Sequence, residues 1–157
     1  MNLEKYSHLA FFSGLRSEDI QLLAPYFAPQ TWVAGTVIFE QDDYAEYLYL
    51  VVSGEVTIHY KPHDGPVMTV TRVQPGGIFG WSAAMNNPAY TSGAICSLDS
   101  EVLRIRGVDL RSICEKHPEL GSIILDRLAS VIAERKKNRQ QSVSSILASG
   151  MRQPTKN

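Results

Sequence analysis

The stretch from Pro75 to Ile95, PGGIFGWSAAMNNPAYTSGAI, holds the residues best suited to gripping a ligand. Gly76, Gly77 and Gly80 free the backbone to turn, and Ser82 to Met85 follow as a short run of helix formers. A Gly-rich turn running into a helix start points unpaired N–H groups at an anion or a polar ligand. The expected donors are the N–H groups of Gly80, Trp81, Ser82 and Ala83, with the hydroxyls of Ser82, Thr91 and Ser92. Trp81 admits three readings. Its indole folds inward and fills the pocket, or it forms with Tyr90 an aromatic wall for a planar ligand, or it is exposed and contacts another protein.

Other side chains offer less chemistry. His59 and His63 stand four apart across a turn containing Pro62, and no H-x-H pair exists. His59 shares a strand face with Glu55 and Thr57, opposite Val56, Ile58 and Tyr60, which marks it as a solvated surface residue. His8 and His117 fall at helical positions far from that strand. Cys96 and Cys114 lack the paired spacing of a zinc knuckle or an iron–sulfur site and read as small buried hydrophobes.

The elements that must position this stretch follow from the patterning. The chain has 157 residues, enough for one domain with its own core, and a net charge of -1, which gives no global attraction to nucleic acid or a membrane surface. Neither a secretory leader nor a membrane-length apolar run is visible, so a cytoplasmic location is expected. Leu3 to Phe27 is helical in pattern, with a start at Ser17 supported by Glu18 and Asp19 and a close at Pro25 and Pro29. Seven strands are expected between Thr31 and Arg106: Trp32–Val33, Val37–Glu40, Tyr47–Val52, Glu55–Tyr60, Met68–Val73, Gly93–Ser97 and Glu101–Ile105. Short strands at this spacing make a sandwich or barrel.

From Gly107 the pattern turns helical again, and Pro118 opens a longer helix at the position that tolerates proline best. Along it Leu120, Ile124, Leu128, Val131 and Ile132 form an apolar stripe, wide enough to bury against a barrel, a partner, or both. Leu125 lies off that stripe, and a homodimer through this helix is expected. Arg135, Lys136, Lys137 and Arg139 form a basic helix end that offers salt-dependent attraction but no base readout. Residues 141–157 read as a partly disordered tail, too short for a helix-turn-helix, so no DNA-binding domain is expected.

Three ordered motifs resemble one family. Ala34-Gly35-Thr36-Val37-Ile38-Phe39 followed by Asp42, then Leu48 to Val56 (LYLVVSGEV), then Val73 to Gly80 (VQPGGIFG) are similar to successive signatures of the cyclic-nucleotide-binding domain of the catabolite-activator/Fnr superfamily. The resemblance covers about residues 10 to 135 and is far more specific than any single glycine motif. It implies a mainly β fold: a double-stranded β-helix, or cupin-like jelly roll, over about 31–106, with N-terminal helices and a long C-terminal helix inside a domain of residues 1–140. Gly77 and Phe79 belong to its lead into the phosphate-binding cassette.

The resemblance also implies what has been lost. Binding members carry a Glu for the ribose and an Arg for the cyclic phosphate, and here those positions hold Trp81 and Thr91. No Arg or Lys lies between Arg72 and Arg104 to take over the phosphate. The expectation is a non-enzymatic sensor or regulatory module with weak or no cAMP or cGMP binding and no cofactor. It would signal through its C-terminal helix to an unidentified protein partner, without sequence-specific nucleic acid and without a membrane. The alternatives are a cupin-type metal-dependent enzyme and a binder of a different planar small molecule in the same pocket.

Overall fold

In the computed structural model residues 3–130 are described; Val131, Ile132, the basic run to Arg139 and the tail 141–157 lie outside the described residues. Two short 3-10 helices (Leu3–Tyr6 and Ala10–Phe12), helix α1 (Ser17–Leu23) and a 3-10 turn (Ala24–Tyr26) lead into eight strands. These are β1 (Phe27–Trp32), β2 (Val37–Phe39), β3 (Tyr47–Ser53), β4 (Val56–Tyr60), β5 (Met68–Val73), β6 (Ile78–Phe79), β7 (Gly93–Cys96) and β8 (Ser100–Arg106). Helix α2 (Gly107–Lys116) follows, and α3 is described over residues 118–130.

The strands form two antiparallel four-stranded sheets, in the orders β1-β8-β3-β6 and β2-β7-β4-β5. The pairing is nested: β1 with β8, β2 with β7, β3 with β6, β4 with β5. The architecture is a mainly β jelly roll with helices at both chain ends.

Strand β3 shows why the sequence folds this way. Its run YLYLVVS is apolar on both faces, as a strand buried on both sides must be. Leu48 and Leu50 turn outward into a cluster with Phe11, Phe12, Leu103, Ile105, Leu110 and the helices, while Tyr49 and Val51 turn inward and join Phe39, Phe79, Val102 and Tyr90. One sheet is therefore the shared wall of two cores.

Four expectations are corrected here. Strand β1 starts at Phe27 and runs through Pro29, which had read as a helix stop. Pro29 lies opposite Leu103 in an edge strand bonded only to β8, where a missing N–H is tolerated. The residues Ile78–Phe79, absent from the expected strands, form strand β6 against Tyr49 and Leu50, so eight strands replace seven. At α1 the cap is Arg16, whose N–H donates to the Asp19 carboxylate at 3.2 Å, with Ser17 already inside the helix.

The fourth concerns the long helix. Leu120, Ile124 and Leu128 are buried in the chain's own helix-side core, so within the described residues the stripe packs on the roll and is not a free dimer face. Leu125 is the apolar residue of α3 left outside, at 58% exposure. Arg127 ties the helix down: its Nη1 donates to the carbonyl of Phe11 at 2.9 Å and also to that of Ala10, and its Nη2 to that of Ser13. A cation at the carbonyl end of a 3-10 turn gives these oxygens a charged donor, in addition to the Ser13 N–H that Ala10 O already accepts.

Candidate functional site

Strand β6 ends at Phe79, and Gly80 turns the chain with φ +77°, a conformation that suits glycine. Residues 81–86 then form consecutive turns in place of the expected Ser82–Met85 helix. The N–H of Ala83 donates to Gly80 O at 3.3 Å, that of Met85 to Trp81 O at 3.1 Å and that of Asn87 to Ser82 O at 3.0 Å. The Ala83 N–H, expected to face a ligand, is thus already committed. A single turn also lacks the aligned peptide dipoles that draw an anion to a true helix start.

The predicted residues divide into two groups. Gly80, Trp81, Ser82, Tyr90, Thr91 and Ser92 line one recess, together with Phe39 and Ile58. Gly77, Phe79 and Ala83 do not line it. Gly77 pairs with β3, its O accepting from the Val51 N–H at 2.9 Å. Phe79 is fully buried and stacked on Tyr49, with ring centroids 4.8 Å apart and planes at 6°. Ala83 turns its carbonyl to Arg111 of α2, whose Nη1 donates to it. Phe39 and Ile58 were missed, although their inward strand positions were legible from the alternation of β2 and β4.

The recess is nearly full. Its free volume is about 30 Å³, room for a single water. The ring that occupies it is Tyr90, 4% exposed and stacked on Phe39 at a centroid distance of 3.7 Å and an angle of 12°. The Tyr90 hydroxyl donates to Tyr47 O at 2.6 Å and accepts from the Tyr47 N–H at 3.0 Å. Trp81, the residue expected to decide the pocket, is half-buried; it lines the recess and packs against the helix-side core. Thr91 is exposed and Ser82 is buried.

No lining side chain carries a charge. Arg104, on β8 next to β3, stacks over the Tyr47 ring at 4.1 Å. Among the described residues no group of three or more His, Cys, Asp or Glu is placed to hold a metal ion. No described helix is long and apolar enough to cross a membrane. Burial pushes both thiols, Cys96 and Cys114, above the ordinary cysteine range and away from reactivity.

A family model described as the cyclic nucleotide-binding domain matches residues 29–117, more than half of the chain. The chain belongs to that family. The cyclic AMP receptor protein of Thermus thermophilus is 28% identical over 124 residues, which is 79% of this chain and 56% of that relative. A putative cyclic nucleotide-binding protein from Geobacter metallireducens is 29% identical with a TM-score of 0.76, over 86% of this chain and 98% of its own. A cyclic nucleotide-binding domain from Methylobacillus flagellatus shares the fold at a TM-score of 0.81 and 19% identity, over 91% and 85% of the two chains.

In this cyclic nucleotide-binding domain two phenols are held neutral. Burial pushes Tyr90 and Tyr49 above the ordinary tyrosine range, with Arg104 opposing the rise at Tyr49. The folded state therefore holds these protons more tightly than the unfolded chain does. Their contribution to stability is complete below about pH 10 and is lost as the pH climbs from there toward the raised values. Thermal melts at stepped alkaline pH, read beside phenolate absorbance, are expected to show that Tyr90 and Tyr49, among the seven tyrosines, ionise only as the domain unfolds. Ionisation of all seven in an intact fold would contradict this.

Proposed function

We propose that this cyclic nucleotide-binding domain is a non-enzymatic regulatory module that does not bind cAMP or cGMP tightly and passes its state to a partner through α3. The supporting observation is the neutral lining of the recess, with Trp81 and Thr91 at the positions where binding members of the family carry a Glu and an Arg. A cyclic phosphate entering it would lose hydration and gain no cation. The match to regulators such as the Thermus thermophilus cyclic AMP receptor protein supports a regulatory role.

A contiguous path connects recess and helix. Arg111 grips the Ala83 carbonyl behind the recess, and Gly107 of the same helix packs directly on Ala83. Farther along, Cys114 of α2 packs against Gly121 of α3. A displacement of the pocket turn would push on α2 and through it on α3, whose exposed Leu125 is the contact offered to a second copy of the chain or to another protein.

Calorimetric titration with cAMP and cGMP tests the reading. The wild-type domain is expected to give no micromolar binding, and a micromolar Kd would overturn the proposal. Tyr90→Ala combined with Thr91→Arg clears the ring and returns the cation. This variant is expected to bind cAMP roughly 10- to 100-fold more tightly than Tyr90→Ala alone, the worth of one charge-assisted hydrogen bond.

A further inference from the structure

We infer that the slot above Phe39 is a binding site for a flat, uncharged aromatic ring of phenol size, and that the chain occupies it with its own Tyr90. This deepens the proposed reading and rests on it, because a slot meant for a charged nucleotide would need the missing cation.

The slot has the parts of a recognition site. Phe39 supplies a flat apolar face, and at 3.7 Å and 12° its stack with Tyr90 is closer than any other described ring pair. At the far end the Tyr47 backbone offers one acceptor and one donor, and the phenol hydroxyl uses both, at 2.6 and 3.0 Å. Gly80 closes the edge, where an added Cβ would stand 3.4 Å from the Tyr90 ring and 2.9 Å from Tyr47 O. A hydroxyl satisfied as donor and acceptor over an apolar floor is the way a small pocket selects a phenol over a plain arene.

Tyr90 is a fixed occupant, because its backbone is clamped as well. The Tyr90 N–H donates to Asp43 O at 2.9 Å, and its O accepts from the Asp42 N–H at 2.9 Å. Asp42 adopts φ +75° to make that bond, a conformation that non-glycine residues take at a cost. The neighbouring Tyr44–Ala89 bridge ties the same two segments together. With both ends held, the ring stands in the slot as a ligand would, and the slot needs nothing from solution.

Removing the side chain and supplying it from solution tests this. Tyr90→Gly and Tyr90→Ala are expected to lower the Tm by roughly 10 °C, and p-cresol at millimolar concentration to recover a large part of that loss. Toluene should recover less, because it cannot use the Tyr47 pair, and wild-type protein should not respond to either. If Tyr90→Gly does not fold, refolding it in p-cresol is expected to restore it. Variants that p-cresol helps no more than toluene, or no more than it helps wild type, would overturn the inference. Micromolar cAMP binding by wild type would defeat the proposed function, whereas a p-cresol failure leaves that function standing and removes only the aromatic slot.

Discussion

Ile124→Glu is expected to unfold the domain, and not to split a dimer into folded monomers. Ile124 is 1% exposed and sits in the helix-side core with Leu120, Leu128, Leu110 and Phe12. Deleting a buried aliphatic side chain costs about 2–5 kcal/mol, and the replacement must also bury a carboxyl, charged or forced to take up a proton, for several kcal/mol more. The sum approaches the whole stability of an ordinary domain, about 5–15 kcal/mol. Circular dichroism should show loss of the fold at room temperature. Leu125→Glu, on the outer side of the same helix, is expected to keep the wild-type melting curve, so sedimentation of that variant is the fair test of pairing through α3. A folded, stable Ile124→Glu would mean that α3 does not pack on the roll.

Gly107→Ala is the second substitution with a large expected effect. An added Cβ would stand 2.1 Å from Ala83 O, 2.5 Å from its carbonyl carbon and 3.1 Å from its Cβ, and two of these three are backbone atoms that cannot swing aside. Retreat of α2 is opposed by the Gly107 N–H, which donates to Glu46 O at 2.9 Å, and by Arg111 on the same carbonyl one turn later. Such overpacking costs about 3 kcal/mol, or a Tm lower by roughly 6–12 °C. Gly35→Ala is the comparison: Gly35 has a positive φ, +89°, which Gly107 does not, and meets nothing within 4 Å, so it reports backbone strain without a clash. Its cost is limited to about 1–2 kcal/mol of backbone strain. A Gly107→Ala melt no lower than that of Gly35→Ala would show that α2 and the pocket turn are not in firm contact.

Most strands were legible because they alternate or run apolar between strong turn signals, as Tyr47 to Val52 and Met68 to Val73 do. Two were obscured for definite reasons. A proline inside β1 is acceptable only because the strand is an edge, a property of the sheet that local sequence does not display. The two residues of β6 are too few to show any period. Leu120, Ile124 and Leu128 of the last helix are buried together, but spacing alone does not say which surface covers such a stripe.

The pocket was harder to read than the fold. That Trp81 and Thr91 are uncharged is visible in single letters. The filling of the pocket is not, because Phe39 and Tyr90 are far apart in the chain and meet only when β2 and the segment before β7 are brought together. Trp81 drew attention as the larger ring, yet it packs against the helix-side core, and the ring stacked on Phe39 is Tyr90.

The nested strand pairing also governs how the chain can be assembled during synthesis. β1 bonds only to β8 and β2 only to β7, so the first two strands to leave the ribosome must wait for the last two. Until Arg106 has emerged, β1 has no partner and β3 lacks its main neighbour, while β4 and β5 can already close on each other as a hairpin. Waiting strands with open edges invite pairing with other nascent chains. The same nesting makes assembly of the domain a late event, completed when β8 closes the sheet between β1 and β3.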